Sequence, residues 1–357
     1  MENRFHSMRA GAASNATSNS IGVLRYLLAL VVVLHHTNGI MGLHIPLLLR
    51  PDTVVYAFFA LSGFFAWQSF IRSSSVRTFV MHRLRRLLPT YWAVVGTSAI
   101  GLCAVSDLST IDYFMSAAFW QYLIANGALL NFFAPELPGV FSDHLLTVVN
   151  GSLWYVKLEV LFTFVVPVSV HAIQRLGTST ISTCSSKSIC FGAHYLGLWF
   201  VGGWFGLVAM FFSLRPMLWT ESSLLSRYLC CFFMFLSGLI GAYCGQALSV
   251  RLHKCACIVF GFIGIASIVG VMEYIESPFL YFLCSAIVIW GLIVLFMLTR
   301  WGAFLNRNNM TYSLYLCHFP LIQLAYGLTS DIVVALGIAG LLLGVCTPLL
   351  YYGIERR

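Results

Sequence analysis

Three ionisable side chains, Arg25, His35 and His36, lie within the first long apolar segment of the chain, residues 21–40. As an α-helix this segment would span about 30 Å, the thickness of the hydrocarbon core of a bilayer. Ionisable groups at that depth are costly, which makes them candidates for a functional role. At about 100° per residue, His36 lies within about 20° of the helix face of Arg25 and roughly 16 Å further along the axis, whereas His35 is turned by about 80°. We therefore expect Arg25 and His36 to line one cavity at two depths, the alternative being a helix whose polar groups are satisfied by packing.

Two further arginines, Arg83 and Arg86, lie in the run HRLRRLLP just before Pro89. Residues three apart share one face of a helix, and a pair of guanidinium groups suits a phosphate, which arginine binds bidentately. Pro89 is expected to mark a break near the membrane surface. The positive-inside rule also places arginines beside apolar segments without any binding role. The sequence leaves both interpretations open.

Two ionisable groups lie in later apolar segments. Glu159 ends the run LWYVKLE, where it could accept a proton or orient a histidine. An ion pair with Lys157 is the structural alternative, but residues two apart on a helix point to different faces. His318 lies in the run YSLYLCHFP, and an isolated histidine in such a position more often makes a structural polar contact than it acts in catalysis.

Composition defines the class of protein that must position these groups. The chain has 357 residues, of which 59% are hydrophobic and 9% are charged, whereas soluble domains carry about 25% charged residues. The sequence therefore predicts an all-α, polytopic membrane protein. Its cysteines lack the spacing and the neighbouring histidines of a metal site, so no metal is expected. The run FFALSGFF, which includes Ser62, is typical of close helix packing.

Ten apolar segments are predicted to form membrane-spanning helices. They are residues 21–40, 53–71, 88–105, 153–173, 189–212, 224–248, 255–272, 278–299, 311–328 and 332–352. Residues 1–20 are expected to form a flexible cytoplasmic lead, and residues 21–357 a single transmembrane domain.

The distribution of Lys and Arg predicts the orientation. With a cytoplasmic N-terminus, fifteen of the 20 Lys and Arg residues lie on the inner side and three, Arg50, Arg215 and Arg227, on the outer side. The positive-inside rule therefore predicts that both termini are cytoplasmic. Residues 111–130 are apolar enough for an eleventh span, which would reverse this distribution downstream. An amphipathic or re-entrant helix on the outer side is predicted there instead.

Six motifs occur in one order along the chain, and together they identify a resemblance. They are Arg25 and His36 with ten residues between them, FFALSGFF, Arg-x-x-Arg-x-x-Pro at Arg83, LWYVKLE, YSLYLCHFP and the closing YYGIER. In this combination the chain resembles acyltransferase family 3, integral membrane acyltransferases of which many O-acetylate bacterial surface polysaccharides. The resemblance covers nearly the whole chain, and it implies acyl transfer, usually of acetyl from cytoplasmic acetyl-CoA, to a sugar hydroxyl at the outer face.

The resemblance implies roles for the ionisable groups. Arg83 and Arg86, helped by Arg25, would bind the phosphates of CoA, while His36 would act as the base and Glu159 would orient it or hold the acceptor. Contact with substrate, or support of the site, is expected from Ser62, Tyr312, Ser313 and His318. The acceptor would be a lipid-linked or polymeric glycan. The protein would lie among the lipids of the bacterial inner (cytoplasmic) membrane, with no nucleic acid as a partner.

A proton-coupled secondary transporter is the main alternative, because it too would place Arg, His and Glu side chains in its core. Inverted repeats and interrupted helices in matching halves would favour a transporter, and neither is visible in the sequence. A subunit of polysaccharide assembly without catalysis is a third possibility, under which replacement of His36 by Ala would be tolerated.

Overall fold

A computed structural model describes residues 19–181, 224–247, 278–300, 302–306 and 308–356, together with a few positions between 265 and 275. These residues form helices and turns, with no β-strand among them. The all-α class predicted from the sequence is confirmed.

The α-helices of the described residues are, in chain order, α1 (Ile21–Met41), α2 (Pro51–Arg72), α3 (Val76–Gly101), α4 (Thr110–Met115), α5 (Ala117–Gly127), α6 (Trp154–Ile181), α7 (Leu224–Ala247), α8 (Pro278–Leu298), α9 (Thr311–Gly327) and α10 (Ile332–Leu350). Short 3-10 helices follow α3 at Leu102–Val105 and precede α9 at Ala303–Asn306, and a π-helical turn, Tyr351–Glu355, follows α10.

Seven stretches of the described residues are long and apolar enough to cross a membrane. They are Ile21–Met41, Pro51–Arg72, Val76–Val105, Trp154–Arg175, Ser226–Tyr243, Leu280–Leu298 and Ile332–Glu355. Helix α9, where a further span was predicted, has 17 residues, the lower end of the range for membrane-spanning helices. The predicted span at residues 189–212 and most of that at 255–272 lie outside the described residues.

The apolar stretch at residues 111–130 forms two short helices, as expected for a segment that does not span. Helices α4 and α5 have 6 and 11 residues. Ser116 separates them, because its extended backbone ends α4 while its hydroxyl accepts a hydrogen bond from Ala118 N–H and so caps α5. Neither helix is long enough to cross the hydrocarbon core.

Pro89 does not interrupt the third helix, contrary to the sequence-based expectation. Helix α3 begins at Val76 and continues through Pro89 to Gly101, so the span starts a dozen positions earlier than predicted. A proline removes one backbone donor from a helix, and such a loss is tolerated in membrane helices where neighbouring groups satisfy the backbone. Arg83 and Arg86 therefore lie in the interior of a helix rather than at its start.

The chain divides into two compact units. The first comprises Met1–Leu24, Asp52–Val80 and Phe162–Arg307. Within it, α2 and α7 cross with their backbones in contact, because Gly63 meets the carbonyl of Phe235 and Gly238 meets the carbonyl of Ala60 at distances that leave no room for a Cβ atom. The packing role of the FFALSGFF run is thus confirmed.

The second unit comprises Arg25–Pro51, Met81–Leu161 and Asn308–Arg357. One of its apolar clusters joins α3, α4, α5 and α9, and another joins the end of α1 to α9 and α10. The Tyr26 hydroxyl donates to the carbonyl of Asn308 and accepts from the N–H of Met310. This contact fixes the first turn of α9 against α1.

Candidate active site

Two histidines from opposite ends of the chain meet in the second unit. His36 Nδ1 on α1 lies 2.7 Å from His318 Nε2 on α9, and the two rings stack with centroids 5.0 Å apart. His318 is fully buried, whereas His36 keeps partial exposure. The pair brings together two residues that the sequence marked separately, and it gives His36 a hydrogen-bonding partner.

The hydrogen bonds of His318 define which nitrogen of each ring carries a proton. His318 Nδ1 lies 3.2 Å from the carbonyl oxygen of Leu314, so in a neutral ring this nitrogen must be the donor. His318 Nε2 is then the acceptor, and His36 Nδ1 donates to it. That tautomer leaves the lone pair of His36 on Nε2, which makes no hydrogen bond within the described part of the chain. The arrangement therefore presents an imidazole ready to accept a proton.

The hydrogen bond to His36 comes from His318 rather than from Glu159, which was predicted to orient His36 or to hold the acceptor. Glu159 instead accepts hydrogen bonds from Arg83 Nη2, at 2.9 Å, and from the Tyr155 hydroxyl, at 2.6 Å. Arg83 and Glu159 are almost fully buried, with 4% and 3% of their surface exposed. Lys157, the alternative partner considered for Glu159, places its ammonium group 4.6 Å from the centre of the Phe132 ring.

The structure also separates the two arginines of the predicted fork. Arg83 is buried in its ion pair with Glu159, whereas Arg86 is exposed on the same helix. Arg25 interacts electrostatically with Arg86, Glu159 and Glu355. A cationic group of Arg25 and Arg86 thus lies beside the buried Arg83–Glu159 pair.

The residues predicted on α9 support the first turn of that helix. Ser313 donates both its backbone N–H and its hydroxyl to the carboxylate of Glu355, from the π-helical turn after α10. The Tyr312 hydroxyl donates to the carbonyl of Leu87 on α3, at 2.8 Å. Ser62 belongs to the first unit, whereas the other predicted site residues belong to the second.

Two contributors to this arrangement were not predicted as site residues. Tyr155 lies inside the LWYVKLE motif, four residues before Glu159 and therefore on the same helix face. Glu355 belongs to the closing YYGIER motif, and an acidic side chain at the end of an apolar helix was the available signal. Among the described residues, no group of three or more His, Cys, Asp or Glu side chains is arranged to hold a metal ion.

Removal of Arg83 is expected to destabilise the fold more than removal of its neighbour. Arg83→Ala removes the buried cation that donates to Glu159 at 2.9 Å, a loss of about 3–5 kcal/mol in the free energy of unfolding. Arg85→Ala, an exposed position on the same helix, should change it by no more than about 0.5 kcal/mol. Unfolding of the purified variants in detergent measures the change in the free energy of unfolding for each. Adding Glu159→Gln to the Arg83→Ala variant should recover part of the lost stability. Equal stability of the two single variants would contradict the importance of the pair.

Helices long enough to cross a bilayer, with ionisable residues buried among them, define an integral membrane protein. A family model described as an acyltransferase domain, that of acyltransferase family 3, matches residues 18–353. The chain belongs to this family. The match extends over nearly the whole sequence and includes every residue of the candidate site except Glu355.

A curated relative is similar to part of the chain. It is an O-acetyl transferase of Shigella phage Sf6, 27% identical over an alignment of 172 residues that covers 44% of this chain and 47% of the relative. The chain thus aligns with about half the length of that protein. No solved structure matches the chain.

Proposed function

We propose that this protein is a membrane-bound O-acyltransferase that moves an acyl group, acetyl in the first instance, from acyl-CoA to a hydroxyl of a surface carbohydrate. The observation that carries the proposal is the His36–His318 pair, which leaves His36 Nε2 as an available base in a member of an acyltransferase family. The name of the phage relative, an O-acetyl transferase, supports oxygen as the acceptor atom.

The proposed reaction uses His36 twice. His36 Nε2 removes the proton of the acceptor hydroxyl as its oxygen attacks the thioester carbon. The tetrahedral intermediate then collapses, the carbon–sulfur bond breaks, and an ester forms. The proton passes from His36 to the departing thiolate, which gives free CoA. His318 accepts the hydrogen bond from His36 Nδ1–H throughout, so the imidazolium that forms is held in one orientation.

The donor is proposed to enter from the side of Arg25 and Arg86. Arg25 and His36 lie on one face of α1, roughly 16 Å apart along the axis, a span that the extended pantetheine arm of CoA can bridge. The guanidinium groups at one end would bind the phosphates, and the thioester would reach His36 at the other. Arg83 would act by holding Glu159 rather than by binding phosphate directly.

Arg86→Ala is therefore expected to weaken use of the donor. Loss of one charge-assisted contact to phosphate, worth about 1.5–3 kcal/mol, should raise the KM for acetyl-CoA by about 10-fold or more, with the KM for the acceptor unchanged. Arg85→Ala is the matched control, since it removes a neighbouring exposed charge of the same helix. Reaction rates measured at increasing concentrations of acetyl-CoA distinguish the two variants. A high concentration of acetyl-CoA should partly restore the rate of Arg86→Ala. A raised KM for the acceptor alone would assign Arg86 to the other substrate.

The proposed location is the bacterial inner membrane with both termini in the cytoplasm, so that acetyl-CoA reaches the arginines and the acceptor glycan reaches the outer side. The excess of Lys and Arg in the inner segments supports this orientation. A thiol introduced by Ser74→Cys, at an exposed position between α2 and α3, should react with an impermeant reagent only after the cells are opened. Asp143→Cys should react in intact cells, and the opposite pattern would invert the orientation.

The proposed activity is tested directly on the acceptor. Mass spectrometry of surface polysaccharide from cells with the protein, without it, and with the His36→Ala variant should show acetyl groups only in the first sample. Purified protein in proteoliposomes should release CoA from acetyl-CoA only when that polysaccharide is added. Identical acetylation in all three samples would reject the proposal.

A further inference from the structure

A proline interrupts the hydrogen bonds of α9 close to His318. Pro320 has no N–H, so the carbonyl of Leu316, four residues earlier, loses its donor within the helix. A backbone carbonyl without a partner is costly in a membrane, where water does not replace the missing donor. In this structure Asn150 Nδ2 donates to the Leu316 oxygen at 2.8 Å. Asn150 therefore supplies the hydrogen bond that the proline removes.

The residues beside Asn150 fix the direction of its amide. Asn150 Oδ1 accepts from the Ser152 hydroxyl at 2.6 Å and from the Ser152 N–H at 3.1 Å. With both donors on the oxygen, the amide nitrogen must face Leu316. The Tyr315 hydroxyl donates in turn to the Ser152 carbonyl at 2.8 Å. Asn150 and Ser152 are both buried, so this network is shielded from competing water.

The same segment contacts the neighbours of the histidine pair. A Cβ atom on Gly151 would lie 2.9 Å from Cε2 of Phe319, closer than real Cβ contacts. The Phe319 ring meets the His36 ring edge-on, with centroids 5.0 Å apart. The segment of residues 150–152 thus bonds the carbonyl two residues before His318 and packs against the residue after it.

We propose that the Asn150–Ser152 hydrogen-bonded segment is a positioning element for the His36–His318 pair, an inference that rests on the proposed function. By satisfying the carbonyl freed by Pro320, it holds α9 in the form that keeps His318 Nδ1–H on the Leu314 oxygen and Nε2 facing His36. Without that donor the helix shifts to find another, and the His36 ring loses its fixed tautomer. Neither Asn150 nor Ser152 needs to touch a substrate for this role.

The test compares Asn150→Ala with the wild type in proteoliposomes, using acetyl-CoA and polysaccharide extracted from cells that lack the protein. A displacement of the base by about 1 Å costs on the order of 10²-fold in rate, so kcat should fall by about 10–100-fold. The KM for acetyl-CoA should stay within about twofold, because the arginines remain in place. Asn150→Asp keeps the acceptor for Ser152 but lacks the donor for Leu316, and it should lose as much activity as Asn150→Ala.

A second substitution separates positioning from a general loss of stability. Pro320→Ala restores an N–H opposite the Leu316 carbonyl, so it should recover part of the lost kcat in the Asn150→Ala background. Ser152→Ala, which removes a single hydroxyl, should lower kcat less and provides the measurement if Asn150→Ala does not fold.

Three outcomes are informative. Normal kcat in both Asn150→Ala and Ser152→Ala, with His36→Ala inactive, overturns the positioning role and leaves the proposed function standing. A fall in kcat that Pro320→Ala does not recover also overturns it. A wild-type protein that transfers no acetyl group in the same assay overturns the proposed function itself.

Discussion

Replacing His36 by Ala or Gln is expected to lower turnover by about 10²–10⁴-fold, the contribution of a general base. The reason is that His36 Nε2 carries the available lone pair of the histidine pair, since its Nδ1 is committed to His318. Insertion in the membrane and binding of CoA should be unaffected, because Arg25, which would bind the phosphates, lies roughly 16 Å from His36 along α1.

His35 provides the matched control for His36. The two rings are neighbours, with centroids 5.2 Å apart, but the His318 hydrogen bond is made by His36. His35→Ala should therefore be much milder. Release of CoA and acetyl content of the polysaccharide, compared at equal protein in the membrane, measure both variants. Near-normal turnover of His36→Ala would remove this residue from the mechanism and direct attention to His318.

Replacing His318 by Ala is expected to produce the second largest loss, about 10²-fold or more. In a serine protease triad, loss of the correct histidine tautomer lowers kcat by about 10⁴-fold, and His318 holds the tautomer of His36 here. The variant frees His36 Nδ1 and allows the ring to rotate. The KM for acetyl-CoA should change little, because the loss lies in the chemical step.

His318→Gln distinguishes orientation from a direct role in catalysis. Its amide oxygen can accept the hydrogen bond from His36 Nδ1–H but cannot take up a proton at neutral pH. If His318 only orients the base, the Gln variant should recover at least part of the activity lost in the Ala variant. An equal loss of activity in the Gln and Ala variants would show instead that His318 takes part in proton transfer. Normal activity of His318→Ala would rule out a role for the His36–His318 pair in catalysis.

The sequence by itself determined the class of protein and the residues worth examining. Its 59% hydrophobic content and long apolar segments require a helical membrane protein, because only helices and closed barrels satisfy the backbone in lipid. The periodicity of a helix placed Arg25 and His36 on one face of α1 without further information. Capping by Ser109 and Ser116 is a local property too, and it explains why residues 111–130 form two short helices.

The partners of the ionisable groups were decided by the tertiary structure. Arg83 and Arg86 look equivalent in the sequence, but contact with Glu159, 76 residues away, buries only Arg83. His36 and His318 are separated by 282 positions, and Asn150 and Leu316 by 166. Periodicity within one helix fixes which face a side chain occupies, whereas the helix opposite that face is set by packing between distant segments. His36 could therefore be proposed as the base from α1 alone, while its hydrogen-bonding partner could be found only where α9 packs against α1.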